Sequence, residues 1–154
     1  MKTMRMLVPL CRTFLLLITL AIMGCGSGGD SDSAPSQTKI VLSNGASISI
    51  VDSGNGTNVV QGENLQGVAG FDIRMSYDPA VMNPPTVAQG ELVSGFMFAA
   101  NTTTPGLIKA AIISTRAVSG TGPILMLAFL PGESTGSVAL DRVIMIDASG
   151  HQLH

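Results

Sequence analysis

The chain has 154 residues, of which only 12% are charged, with no tryptophan and a single tyrosine. Its formal net charge is −2, and no cluster of lysine and arginine supplies the footprint that nucleic-acid binding requires. Its two cysteines, Cys11 and Cys25, both lie near the N-terminus, so no cysteine-based metal site is expected further along.

The first 25 residues read as an export signal. Lys2, Arg5 and Arg12 give a positive start, and the apolar run from Phe14 to Met23 has the length of a signal-peptide core. It is shorter than the roughly 20 residues that a spanning helix needs. The run ends in Ile22-Met23-Gly24-Cys25, which resembles the lipobox of bacterial lipoproteins. The alternative is an ordinary secretory signal. Cys25 falls right at the end of the apolar run and a polar stretch follows at once, which favours the lipoprotein. That resemblance implies a signal peptide over 1–24 and lipidation of Cys25. More than one acyl chain there gives stable membrane anchoring without a membrane-spanning helix. Gly26 and Ser27 follow with no aspartate directly after the cysteine, which resembles outer-membrane sorting. The expected location is the cell envelope, at the outer membrane if the source is Gram-negative. Beyond the signal, five basic and ten acidic residues remain, a formal net charge of −5.

Residues 25–38 are the lipidated cysteine and a small, polar tether that cannot bury enough surface to order itself. The domain proper spans 39–154, enough chain for one core. Short apolar runs punctuated by glycine, proline and asparagine follow one another: 39–42, 46–51, 68–77, 96–99, 107–113, 124–130 and 137–146. Such spacing predicts an all-β antiparallel sandwich. The most regular run is VAGFDIRMSYDP, where Phe71, Ile73, Met75 and Tyr77 alternate with Asp72, Arg74 and Ser76. One face of that strand is apolar and the other wet, and Asp78-Pro79 ends it. Ile124–Leu130 is apolar on both parities and predicts a central strand covered on both sides. The parity of Val138 and Leu140 changes at Val143 and Met145, so a bulge is expected near Asp141-Arg142.

Several blocks together resemble a cohesin domain, within the larger group of cohesin-like and cellulose-binding β-sandwiches. They are VAGFDIRMSYDPAVM (68–82), GELVSG (90–95), GLIKAAIIST (106–115), SGTGPILMLAFL (119–130) and VALDRVIMIDASG (138–150), in the family's order. The resemblance implies a jelly-roll-like fold. Two departures stand out. Residues 54–67 are long and polar where cohesins have a cleaner second strand. The sequence given ends four residues after Gly150, so the family's final strand is expected to be short or missing and 39–42 to form an open edge.

The resemblance also nominates contact residues. Asp72 occupies a position like a polar dockerin-contacting residue of cohesins, and it would project beside Arg74 from the wet side of the strand. Gly70 matches a position that is polar in several cohesins that bind dockerins. Leu92, Thr115 and Arg116 fall in segments resembling the rest of the recognition face. Against these stands a plainer reading: a weak surface ion pair for Asp72, and rim packing for Leu92.

DSGNGTN (52–58) lacks the ligand spacing of an EF-hand loop and reads as a turn. His151 and His154 are the only histidines and sit on an end expected to fray, a poor place for a catalytic triad. No enzyme activity, metal or other cofactor is expected. The first functional reading is a binding module for a protein partner, by resemblance a calcium-bearing dockerin-type domain, with a link to polysaccharide degradation. The second is direct polysaccharide binding, disfavoured by the scarcity of aromatics. The third is a structural envelope lipoprotein completed by strand donation at its open edge.

Overall fold

The computed structural model describes residues 37–130 and 136–154. Cys25, the signal segment and most of the tether lie outside the described residues. The described chain forms eight strands: β1 (Lys39–Val41), β2 (Ser47–Gly54), β3 (Thr57–Tyr77), β4 (Thr86–Gln89), β5 (Met97–Asn101), β6 (Leu107–Ala128), β7 (Val138–Ile146) and β8 (Gln152–Leu153). Every pairing is antiparallel.

Two long strands organise the sandwich. The first part of β3 pairs with β2 on one side and with the end of β6 on the other, and β4 continues beyond β6. The second part of β3 pairs with β7 and with the start of β6, and β5 continues beyond β6. Between these halves the β3–β6 register shifts repeatedly, around Gly62, Leu65 and Val68. Each shift inserts unpaired residues and bends the strands, which carries both chains from one layer to the other. The predicted strands 107–113 and 124–130 are therefore one strand, and the polar stretch 57–67 belongs to β3.

Sequence explains the turns. Asn55-Gly56 is the dipeptide of a tight two-residue hairpin, and both residues take positive φ, 52° and 75°. DSGNGTN thus forms the β2–β3 hairpin expected of a turn.

The core lies between the layers. Ile48, Val60, Leu125 and Leu127 face it from the first layer, and Phe71, Ile73, Met75, Ile112 and Met145 from the second. The alternation of 71–77 holds throughout. Tyr77 and Phe129 meet edge to face, ring centroids 5.8 Å apart.

Two expectations need correction. Ile124, beside a register shift, is fully buried, but from Leu125 onward the run is covered on one side only: Leu125, Leu127 and Phe129 are buried, whereas Met126 is 42% and Leu130 61% exposed. An apolar residue on both parities therefore did not mean burial on both. The end around His151 is also ordered. The backbone N–H groups of Ser149 and His151 donate to the Asp147 carboxylate at 2.8 and 2.9 Å, closing a hairpin that pairs β8 with β7. The final strand is two residues long and joins β7. On the opposite margin β1 pairs with β2, and Leu140 N–H reaches the carbonyl of Gln37 at 2.6 Å.

One ionic cluster lies on the outer side of the first layer. Lys39 Nζ and Ser47 Oγ both donate to Glu63 Oε2 at 2.9 Å. The lysine hydrogen bond, then that of Ser47, holds the Glu63 carboxyl below its ordinary value of 4.5. A depressed folded pKa stabilises the fold above the ordinary value and loses that contribution as pH falls through the lower folded one. Glu63→Gln is therefore expected to flatten the acid limb of stability below about pH 4.5, read as melting temperature against pH.

Candidate functional site

The outer face of the second layer runs across β7, β3, β6 and β5. Pairing places its outward residues in rows, each spaced by a strand separation of about 4.8 Å. The first row is Met97, Ile113, Gly70 and Ile146. The second is Ala99, Ala111, Asp72 and Ile144, and the third is Asn101, Lys109, Arg74 and Arg142. One end of the face is thus apolar, the middle is flat and carries two alanines, and the far end is cationic.

The apolar end is open. Met97 is 75% and Ile113 51% exposed. With Gly95, Ser114 and Thr115 they line a shallow depression of about 350 Å³. Its position depends on the loop before β5. Gln89 Nε2 donates to the carbonyls of Val93 and Phe96, at 2.6 and 3.0 Å, and so holds the short 3-10 turn Glu91–Val93 against the start of that strand.

The charged end is cross-linked. Arg142 Nη2 donates to Asp72 Oδ2 at 2.8 Å, and Arg74 Nε lies 3.6 Å from Asp141 Oδ2. Ser76 Oγ donates to Asp141 Oδ1 at 2.7 Å. Asp141 is the extra residue of the bulge expected in 137–146, since Arg74 pairs with Arg142 and Met75 with Leu140. These pairs are exposed and each contributes only about 0–1 kcal/mol.

The nominated residues separate accordingly. Asp72 and Arg74 are exposed on this face as expected, but Asp72 pairs with Arg142 across the strands and not with its neighbour Arg74. Arg142 stands diagonally across from Asp72, whose direct partner is Ile144, and long side chains reach across such a diagonal. Gly70 is on the same face but buried, because the side chain of Ile146 lies over it: a Cβ there would meet Ile146 Cγ1 at 2.8 Å. Thr115 borders the depression. Arg116 is exposed at the register shift of β6, between the pairs Gly70–Ile113 and Val68–Val118, and its backbone N–H donates to Ser114 Oγ. Leu92 packs against the core and Gly122, away from Asp72. Met97, Ile113, Lys109 and Arg142 were not nominated from sequence. Cys25 lies outside the described residues.

Among the described residues no group of histidine, cysteine, aspartate and glutamate could hold a metal ion. No helix among them is long and apolar enough to cross a membrane.

A bent two-layer antiparallel sandwich with one open planar face defines a jelly-roll β-sandwich module. The cohesin-domain profile matches residues 56–152, and the chain belongs to the cohesin family. No curated protein sequence matches it. Among solved structures it is similar to the non-cellulosomal cohesin of Archaeoglobus fulgidus, at 23% identity and a TM-score of 0.56 over 64% of this chain and 71% of that one. It is also similar to the sixth cohesin of Acetivibrio cellulolyticus scaffoldin B, solved with a mutant Cel5 dockerin, at 18% identity and TM-score 0.57 over 69% and 87%. A third is the cohesin of a type I cohesin–dockerin complex from Clostridium thermocellum, at 13% identity and TM-score 0.55 over 69% and 78%.

Proposed function

We propose that this protein is a non-catalytic docking module that holds a dockerin-type domain on the β7–β3–β6–β5 face. The observation that carries the reading is the exposed Met97–Ile113 end of a flat sheet face in a member of the cohesin family. Large apolar side chains left open beside small, flat neighbours offer an anchor at which a partner buries its own apolar group. Lipidation of Cys25 would tether the module, and its bound partner, to the cell envelope, at the outer membrane in a Gram-negative source. A partner of that kind commonly belongs to polysaccharide-degrading machinery, which is the link we propose.

Direct polysaccharide binding has less support. Phe71, Tyr77 and Phe129 are buried, and Phe96 and Phe98 pack against the core, so among the described residues no aromatic plane is offered to a sugar.

Calorimetry of the full chain against the dockerin-type domains of the same genome tests the reading. Replacing both Met97 and Ile113 by aspartate is expected to weaken the complex roughly tenfold or more, as loss of an apolar anchor does. Retention of none of those domains by the unaltered chain would overturn the proposal.

A further inference from the structure

We propose that the docking face takes an acidic partner, one whose carboxylates meet Lys109, Arg74 and Arg142 while an apolar side chain covers Met97 and Ile113. This rests on the docking reading above and specifies the chemistry of the partner.

Lys109, Arg74 and Arg142 are paired one to the next across β6, β3 and β7, so three cations stand abreast. Like charges directly opposite on a sheet disfavour folding. A single row nonetheless holds three of the five cations in the domain. Asp72 and Asp141 offset two of them and leave the face with a formal charge of +1. The remaining described residues carry two cations, Lys39 and Arg116, against five carboxylates. Among the described residues the docking face is thus net cationic and the remainder net acidic.

The cations also keep unused capacity. Lys109 is exposed and makes no ion pair among the described residues. Arg142 donates to Asp72 through one nitrogen, and Arg74 approaches Asp141 only at 3.6 Å. A guanidinium has five N–H donors in a fixed fork, so each arginine can still grip a carboxylate through two nitrogens. The existing exposed pairs are weak enough to be exchanged.

Dimensions narrow the partner further. Two strand separations put Lys109 and Arg142 about 10 Å apart. Seven residues of α-helix rise about 10.5 Å, so carboxylates at i and i+7 of one helix would span the row. Four residues of extended strand, about 13 Å, separate the row from Met97 and Ile113. The alanines between leave room for a helix to lie close.

Two synthetic helical peptides with one apolar stripe provide the probe, one carrying glutamates at i and i+7 and the other lysines there. Titrated into the full chain, the glutamate peptide is expected to bind, to weaken with added salt, and to shift the backbone resonances of Lys109, Arg74 and Arg142. Lys109→Gln and Arg142→Gln should each weaken it by about three- to fivefold, the scale of one exposed ion pair. Urea unfolding of each variant checks that the fold is kept, and Lys109→Gln removes no partner from the structure. Equal binding of the two peptides, a preference for the lysine peptide, or indifference to both substitutions would overturn the proposal. The two readings fail separately. A dockerin-type domain that binds this face with no response to salt or to Lys109→Glu leaves docking standing and removes the acidic partner. A glutamate peptide on the row with no dockerin-type domain retained does the reverse.

Discussion

Gly90→Ala is expected to cost about 3 kcal/mol of folding stability, although it adds a single methyl group. Gly90 follows β4, and its backbone N–H donates to the Ile124 carbonyl at 2.7 Å. A Cβ at this position would overlap the backbone carbonyl of Pro123 and come within 2.7 Å of the Ile124 carbonyl carbon. Side chains can rotate away from such a methyl, but this obstacle is backbone. That stretch of β6 is also paired with β3 on its other side, so it cannot retreat. The comparison is Gly95→Ala. Gly95 has φ +81° and nothing within 4 Å of an added Cβ, so only backbone strain applies, about 1 kcal/mol. Urea midpoints of the two variants separate steric overlap from strain, and equal losses would contradict the packing described for Gly90. The neighbouring Gln89 holds the loop before β5, so Gly90→Ala is also expected to disturb the docking face.

Ile73→Ala is expected to cost about 2–5 kcal/mol, the range for removing a fully buried branched side chain. Ile73 has no exposed surface, and its strand is flanked by β6 and β7. Its neighbour Arg74 points the other way, and Arg74→Ala should cost less than about 1 kcal/mol because only an exposed ion pair is lost. Chemical denaturation of both variants tests the alternation on which the fold assignment rests. Similar losses at the two positions would contradict it.

How much of this could be read in advance depended on whether the information was local. The period of two over Phe71–Tyr77 is carried by adjacent residues, so the strand, its buried side and its exposed side were legible. The bulge at Asp141 was legible because parity changes within one run. The continuity of β3 was not: Gly62, Asn64 and Gly67 interrupt its pattern, and each falls among the register shifts that bend it. β4 was missed because Thr86–Gln89 is only four residues long and follows two prolines.

The site divides in the same way. Asp72 and Arg74 could be placed on the wet face from alternation alone. Their partners could not, since Arg142 stands 70 positions from Asp72 and is brought to it only by the β3–β7 pairing. Lys109 had no mark of its own in sequence. Its importance arises from register with Arg74. Gly70 illustrates the converse error, in which parity gave the right face but could not reveal that Ile146 would cover it.

The sharing of β3 and β6 by both layers bears on how the domain comes apart. Neither layer has a central strand of its own, so opening one layer breaks the ladder that supports the other. The two layers should melt as a single cooperative unit, with no half-folded sandwich accumulating. Amide hydrogens along the β3–β6 ladder should exchange only through global unfolding, whereas the marginal strands β4, β5 and β8 can open by local fluctuation. The docking face therefore combines a rigid centre with a compliant rim at β5, where Met97 sits.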